Sequence, residues 1–447
     1  MIVRKSLLRP SLFVVLVLSA LFAVPVAQAA TLVVGGTCHS GVQFATIQAA
    51  VTAAPAGSNI YICPNTYPEQ VKITKRLSLI GVSSNGSTGG LASGANNPVI
   101  LSPSGGVAVN ASDLYNNFPI AAQIAVLTPG GAVNISNITV DGSNNGLNDC
   151  STNLVGIYYQ NASGKINEVV ARFQELPQAD FGCQDGLAIF VQSGYGSGGT
   201  ATVTISNSSV HDYDKNGITA DGSGTVATIT GNYVVGIGAT PLIAQNGIQL
   251  SDGATGKITN NTVSDDVYIN PPDCQSNNSC FSATGILLYD SGGTSSSHVA
   301  VSGNTVSNTQ GAIVAFGDSA GTADYNDVSS NKITTSPAAG PFLLDGIDLC
   351  SNHNTASTNT VYNSSGSGVH IDSQCTELSG MSGNNTSVTN NTVNEACAGV
   401  LTGNGAGNSV SGTVTYNVIQ TTYAGDVCPA GISRPKTAGK PKPQPKH

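Results

Sequence analysis

The chain has 447 residues, of which 40% are hydrophobic and only 9% are charged, with 53 glycines and no tryptophan. So few charges exclude a coiled coil, and so much aliphatic sequence excludes wholesale disorder, because the chain can build a core. The net charge of −9 disfavours nucleic acid as a partner.

The first 29 residues are typical of a secretory signal peptide. Basic residues at Arg4, Lys5 and Arg9 precede an apolar run that ends at Val24, and Ala27-Gln28-Ala29 is a cleavage motif. The run is shorter than the about 18 residues of a membrane-spanning helix, and no later segment could span a bilayer. We therefore predict a secreted protein, extracellular or periplasmic, with no transmembrane segment.

Ten cysteines in an exported chain predict disulfide bonds, although connectivity is not readable from sequence. Pairing between sequence neighbours is the simplest choice, because most of the separations are close to the repeat length described below. The pairs would be Cys38 with Cys63, Cys150 with Cys183, Cys274 with Cys280, Cys350 with Cys375, and Cys397 with Cys428.

Two short patterns alternate from about residue 150. One is a glycine followed by an apolar-x-apolar segment, repeated from Gly156 to Gly399 at intervals of about 30 residues. The other passes through an asparagine, as in Ile229-Thr-Gly-Asn232-Tyr-Val234. Alternation with a period of two predicts strands, and repeats this short bury their inner face only by stacking on one another.

The repeats therefore predict a parallel β-helix over residues 30–432, with the recurrent Asn at a left-handed corner where its amide bonds the next coil. A β-propeller is the alternative, but its repeats run to about 40 residues and carry recurrent aromatic residues. The remaining residues, 433–447, form a basic, Pro-rich tail that we expect to be disordered.

The start of the array indicates a cap. One helical face carries the apolar residues Ile47, Ala50, Val51 and Ala54. This segment, with the turn Asn65-Thr66-Tyr67 and the strand that ends at Gly81, resembles the right-handed parallel β-helix, or pectin-lyase-like, superfamily with carbohydrate-binding and sugar-hydrolase type repeats. The resemblance implies an all-β, right-handed solenoid with a short N-terminal capping helix. It implies little about activity, since the fold hosts lyases, hydrolases, esterases, epimerases and adhesins.

Candidate catalytic residues come from the second and fourth positions after each repeat glycine, which we expect to face solvent. At Gly186 and Gly311 the second positions are Ala188 and Ile313. Acids and a histidine meet on two adjacent coils only, where the residues are Asp348, His370 and Asp372. Stacking would place His370 over Asp348, and Asp348 about 8 Å from Asp372. That separation suits the acid and base of an inverting glycosidase, which lie roughly 6.5–9.5 Å apart.

Asp345 joins this set through a second resemblance. The run Asp345-Gly-Ile-Asp348 is similar to an element of polygalacturonases whose first Asp is catalytic. The paired Asp expected about one coil later is replaced by Gly366 and Ser367. Asp348 and Asp372 would be base and acid in unassigned order, with His370 shaping the charge; the alternative is a solvated polar face.

A possible Ca²⁺ site is the only cofactor that the sequence indicates. Asp212-x-Asp214-x-Asn216-Gly217 copies the opening of a calcium loop, in which alternate oxygen ligands wrap the ion. Ser223 stands where the closing Glu is expected. The alternative is that Gly217 is simply the next repeat glycine.

The favoured function is a secreted, monomeric β-helix that binds or cleaves a polysaccharide or cell-envelope polymer, as a glycoside hydrolase or lyase-like enzyme. An anionic pectin is disfavoured by the acidic body of the chain. The alternative is a non-catalytic surface, structural or adhesion protein, because no complete catalytic motif occurs. A metal-handling role is weaker, because soft ligands are sparse.

Overall fold

The computed structural model describes residues 28–90, 96–274, 281–317, 323–335, 345–373, 383–426 and 428. Within these ranges are one α-helix, α1 (Ile47–Ala53), and two 3₁₀ helices, Gln178–Cys183 and Tyr195–Ser197. The strands in chain order are β1 Thr31–Val34, β2 Val42–Phe44, β3 Ser58–Ile62, β4 Thr66–Pro68, β5 Val71–Ile73, β6 Leu77–Gly81, β7 Val99–Leu101, β8 Ala111–Ser112, β9 Pro119–Val126, β10 Ala132–Ser136, β11 Thr139–Asp141, β12 Asn153–Gln160, β13 Ser163–Asn167, β14 Val170–Gln174, β15 Leu187–Gln192, β16 Ala201–Ser206, β17 Ser209–Tyr213, β18 Asn216–Asp221, β19 Thr225–Thr230, β20 Tyr233–Thr240, β21 Asn246–Ser251, β22 Thr255–Thr259, β23 Thr262–Tyr268, β24 Thr284–Tyr289, β25 Val299–Ser302, β26 Thr305–Thr309, β27 Gly311–Phe316, β28 Asp327–Ser329, β29 Lys332–Thr335, β30 Ile347–Cys350, β31 Thr355–Ser357, β32 Thr360–Tyr362, β33 Ser367–Ile371, β34 Ser387–Thr389, β35 Thr392–Thr402, β36 Ser409–Ser411 and β37 Val414–Ala424.

The strands form a solenoid with three faces. One face is a 14-stranded sheet that runs from β2 through β10, β19 and β28 to β36. A second sheet of 23 strands supplies the other two faces, because each coil adds two successive strands to it, such as β17 and β18. Apart from the antiparallel pair β8 and β9, the strands pair in parallel, and equivalent strands of adjacent coils are neighbours, as β15, β18 and β21 are. This is the predicted all-β, right-handed parallel β-helix.

We call one side of the 23-stranded sheet the glycine-strand face; it comprises β12, β15, β18, β21, β24, β27, β30, β33 and the second half of β35, residues 398–402. Its inward column runs from Ile157 through Ile189, Ile218 and Ile248 to Val400, and all of these side chains are fully buried. Each contributes about 1.5–3 kcal/mol by leaving water, so the stacked aliphatic column stabilises the array.

The predicted asparagine ladder is present. The Asn261 Oδ1 accepts from the Asn232 backbone N at 2.9 Å, and the Asn304 Oδ1 accepts from the Asn261 backbone N at 2.9 Å. The prediction of a left-handed Asn was wrong in detail. Positive φ lies one residue earlier, at Gly231 (68°) and Asn260 (55°). The earlier residue makes the corner, and the ladder Asn that follows it bonds along the array.

Strand register corrects the outward column predicted from the sequence. Gly156 is level with Ala188 rather than Gly186, because Ile157 pairs with Ile189. The residues level with Tyr158 are therefore Phe190, Thr219, Gln249, Leu287, Val314, Asp348, His370 and Leu401. The expected exposure was also wrong, since all of these side chains are buried. Segments outside the sheet cover part of the face; the Leu114 amide, for example, donates to Gln192 at 2.6 Å.

The N-terminal cap agrees with prediction. The apolar face of α1 and its neighbour Ala54 are at most 2% exposed and cover the end of the core. The Thr46 Oγ1 accepts from the Ala49 amide at 3.2 Å, as an N-cap does. The Glu69 carboxylate accepts from two further free amides of the first turn, those of Ile47 and Gln48.

Three predicted disulfides are confirmed, namely Cys38–Cys63, Cys150–Cys183 and Cys397–Cys428. Cys274 and Cys350 are also disulfide-bonded. Their predicted partners Cys280 and Cys375, most of the predicted signal peptide and the tail lie outside the described residues. Of the helices in the described ranges, none is long and apolar enough to cross a membrane.

Candidate functional site

Two adjacent coils bring the predicted acids and histidine together. Asp348 in β30 and His370 in β33 are register partners, as predicted. Asp345 precedes β30 by two residues and Asp372 directly follows β33. A Cβ on Gly346 would lie 2.6 Å from the Val361 Cγ1, so glycine is needed for the chain to pass this close to the neighbouring strand before β30 begins.

His370 is the centre of what we call the acid–histidine cluster: Asp345, Asp348, His370, Asp372 and Asp426. Its Nδ1 lies 3.1 Å from the Asp345 Oδ2. Its Nε2 lies 3.4 Å from the Asp426 Oδ1 and 4.0 Å from the Asp372 Oδ1. The ring is 1% exposed, and a carboxylate faces each of its two nitrogens.

Two serines hold the outer carboxylates of the cluster. The Asp345 Oδ1 accepts from the Ser367 backbone N at 2.7 Å and from its Oγ at 2.8 Å. Asp426 accepts from the Ser373 backbone N at 2.8 Å and from its Oγ at 2.7 Å. Burial by itself raises the pKa of Asp426, but the interactions with His370 and Ser373 outweigh burial and lower it to about 2. Asp426 is therefore ionised at neutral pH.

Asp348 and Asp372 lie closer together than predicted. One oxygen of each lies within 4.8 Å of the other and of the Cys350 sulfur. The 8 Å expectation used backbone spacing alone, whereas the side chains converge beside Cys350, whose Sγ is 3.9 Å from Asp348 and 3.8 Å from Asp372. An oxygen–oxygen distance below 4.8 Å is shorter than the roughly 6.5–9.5 Å of inverting glycosidases.

The cluster could also hold a cation. The sets Asp345, Asp348, His370 and His370, Asp372, Asp426 each have ligand atoms within 4.8 Å of one another. Carboxylate oxygens suit a hard divalent ion, but His370 could join only as a neutral ring. Cys350 adds no thiolate ligand, because it is in a disulfide.

Asp426 was missed by the sequence reasoning. It follows β37, beyond the last glycine and asparagine repeat, and 53 residues separate it from Ser373. No repeat position marks such a residue, so only the tertiary structure brings it to His370.

The predicted calcium residues make separate contacts. Asp212 pairs with His211 at 2.6 Å. The Asp214 Oδ2 accepts from the Leu176 amide, and the Asn216 amide donates to Thr219 and Gln249. A shared Ca²⁺ site at these residues stays a prediction, which these contacts do not favour.

An apolar strip adjoins the acid–histidine cluster on the same face. It consists of Leu287, Tyr289, Val314 and Phe316, with Cys350 at its edge. Tyr289 and Phe316 stack with their ring centroids 5.7 Å apart. Leu287, Val314 and Phe316 are at most 9% exposed, so the strip is packed core beside the acids.

Residues 193–415 match the family model described as the right handed beta helix region. This match agrees with the right-handed parallel β-helix fold of the described strands. No curated protein matches it.

Similar solved structures include a surface adhesin of Streptococcus pneumoniae, PfbA, at 13% identity and a TM-score of 0.46, covering 85% of this chain and 87% of that one. A family 28 exopolygalacturonase of Yersinia enterocolitica is 11% identical with a TM-score of 0.43, and the match covers 86% of this chain and 76% of that one. The periplasmic alginate epimerase AlgG is 12% identical with a TM-score of 0.42, and the match covers 86% of this chain and 84% of that one. Similarities at this level assign no function to the chain.

Proposed function

We propose that this β-helix protein binds and cleaves a polysaccharide on its glycine-strand face. The observation that carries the proposal is the pairing of Asp348 and Asp372, whose oxygens lie within 4.8 Å beside His370. Two carboxyl groups at this spacing suit glycoside hydrolysis, in which one protonates the leaving oxygen while the other attacks or activates water. His370 and Asp345 would position the pair and set its charge.

The proposed partner is a neutral or weakly charged polymer outside the cytoplasm. Disulfides in the described residues support export, since such bonds persist in oxidising compartments. The acidic chain disfavours a polyanion. We further propose that the mature protein is a monomeric solenoid over 30–432 with a basic tail over 433–447.

A non-catalytic structural or adhesion role is the second candidate. The observation in its favour is burial: Asp345 and Asp348 are 8% exposed, and His370 and Asp372 are 1% exposed. A closed network of charges could simply hold neighbouring coils together. The asparagine ladder and aliphatic columns would then supply a stiff rod.

A hydrolysis assay with matched variants separates the two candidates. Mature protein is incubated with neutral and uronic-acid polysaccharides, and reducing ends and unsaturated products are measured. We expect Asp348→Asn and Asp372→Asn each to reduce the rate by about 10²–10⁴-fold. Asp327→Asn is the control, because Asp327 lies on the 14-stranded sheet and accepts from Thr355. Wild-type protein without activity on any polymer would leave the structural role, whereas activity kept in both variants would remove Asp348 and Asp372 as the catalytic site.

A further inference from the structure

A cleft on the glycine-strand face lies apart from the acid–histidine cluster. It encloses about 540 Å³ of empty space, including the part open to solvent. Only about 50 Å³ of that space is the cavity proper, so a ligand would lie across the mouth of the cleft rather than inside it. Its lining includes Tyr115, Gln184, Phe190, Asp221 and Gln249. Four coils separate β18 from β30, which places the cleft about 19 Å from Asp348.

Two cleft-lining amides have oxygens that the protein leaves without a partner. The Gln184 side chain is 7% exposed, and its Oε1 accepts no hydrogen bond from the described residues, nor does the buried Oδ1 of Asn153. The Gln184 Nε2 is occupied, since it donates to the Gly182 carbonyl at 3.2 Å. A buried oxygen without a donor costs about 1–3 kcal/mol, which a ligand hydroxyl would recover.

Gln184 is held in place by the local backbone and a nearby disulfide. It ends the 3₁₀ helix Gln178–Cys183 with φ of 63°, in the left-handed region. The disulfide Cys150–Cys183 fixes the residue before it, and Asn153 begins β12 three residues after Cys150. One covalent bond therefore holds both unsatisfied amides at the rim of the cleft.

The floor of the cleft is a fixed polar network. The Asp221 carboxylate accepts from Ser251 at 3.0 Å and from Gln192 and Tyr195, each at 2.9 Å. Gln249 accepts from Asn216 and Asn246 and donates to Ser251. Such a network holds its donors and acceptors in place for a ligand with several hydroxyls.

The walls are aromatic. Phe190 stacks on Tyr158 with centroids 5.2 Å apart, and Tyr115, 65% exposed, meets the edge of Tyr195. Asp113 shapes this rim by accepting from the Tyr115 and Asn116 amides. Planar amides and carboxylates below, with aromatic rings beside, suit the two faces of a sugar ring.

The charges of the residues that line the cleft favour an uncharged sugar over a carboxylated one. Asp113 and Asp221 line the cleft, and Lys215, 4% exposed, is the one cation among its lining residues in the described ranges. The Lys215 Nζ already donates to the Ala244 carbonyl at 2.7 Å. A carboxylated sugar would meet two acids and an occupied lysine, so an uncharged one is favoured.

We propose that this cleft is a binding subsite for a neutral saccharide, held by Gln184, Asn153 and the Tyr115 rim. The inference rests on the proposed polysaccharide role and names its substrate class. It assigns binding to a place other than the acid–histidine cluster.

The test is calorimetric titration of mature protein with xylohexaose, cellohexaose and mannohexaose, with trigalacturonate as the charged comparison. We expect at least one neutral hexasaccharide to bind with a Kd of about 1 mM or tighter, and more tightly than trigalacturonate.

Gln184→Leu should weaken that binding about tenfold or more, since it removes the acceptor. Tyr115→Ala should weaken it about fivefold. Tyr233→Ala, at a tyrosine 53% exposed on β20, is the matched control and should change it less than about twofold.

Three outcomes would overturn the subsite: no neutral hexasaccharide bound at about 10 mM, tighter binding of trigalacturonate, or normal binding in both variants. Circular dichroism checks folding, and Tyr115→Ala, at an exposed side chain, decides the matter if Gln184→Leu does not fold. Binding without hydrolysis would remove only the catalytic proposal. Hydrolysis together with normal binding in both variants would remove only the proposed subsite.

Discussion

Acidic side chains are buried both in the acid–histidine cluster and around the cleft, but their pKa values move in opposite directions in the two regions. In the cluster, Asp426 meets His370 and Ser373, and its pKa falls to about 2. Beside the cleft, burial raises the pKa of Asp185 and of Asp214 to about 8. Burial also lowers the pKa of Lys215 to about 7, against a weaker effect of Asp266.

The difference lies in the partners, because desolvation opposes charge in both places. His370 and Ser373 outweigh burial at Asp426, whereas Asp185 and Asp214 receive no cation at hydrogen-bond distance among the described residues. Asp426 therefore stays ionised at neutral pH, which suits its pairing with His370. The acids beside the cleft stay largely protonated, which suits the recognition of neutral hydroxyls.

The largest test of this contrast is His370→Gln. Removing the only histidine of the cluster leaves several buried carboxylates without their counter-charge, so we expect the free energy of unfolding to fall by about 3–5 kcal/mol at pH 7. Urea denaturation measures it. His298→Gln, on an exposed segment, should change stability by less than about 0.5 kcal/mol. A loss below about 1 kcal/mol in His370→Gln would contradict charge pairing as the stabilising feature.

Asp214→Asn tests the region where burial dominates. The raised pKa means that folded protein keeps the proton between about pH 4 and pH 8 while unfolded protein releases it, so the wild type loses stability as pH rises in that window. Asparagine stays neutral in both states. We expect the stability of the variant relative to wild type to increase by about 2–3 kcal/mol from pH 5 to pH 7.

Urea denaturation across that pH range measures the trend, with Asp327→Asn as the control at a partly exposed acid. A stability difference between Asp214→Asn and wild type that does not change with pH would show that Asp214 is ionised in the folded protein.

The smallest expected effect is that of Asp426→Asn. The lowered pKa means that this acid contributes stability above about pH 4, and that the contribution is lost as pH falls toward 2. Allowing for solvent screening at a partly exposed residue, we expect a loss of about 1 kcal/mol at pH 6 that shrinks at pH 2.5. Denaturation at the two pH values checks this, and an equal loss at both would assign the effect to packing.

The sequence by itself determined the solenoid, because its glycine and asparagine repeats require the backbone to turn at the same place in every coil. The glycine repeat includes Gly156 and Gly217, and the asparagine repeat includes Asn232 and Asn261. It also placed His370 over Asp348, since parallel stacking makes equivalent positions neighbours. Sequence spacing could not reveal that Ala188 rather than Gly186 is level with Gly156, because a turn of variable length precedes the strand.

Only the tertiary structure decided which groups are charged and which are covered. Asp426 reaches His370 from beyond the last repeat, and the segment around Leu114 covers a face that alternation alone would leave in water. Repetition fixes contacts between equivalent residues in adjacent coils. Contacts made by segments outside the repeat do not recur at a fixed spacing, so the repeat pattern does not predict them. These contacts set the burial on which the pKa values in the two regions depend.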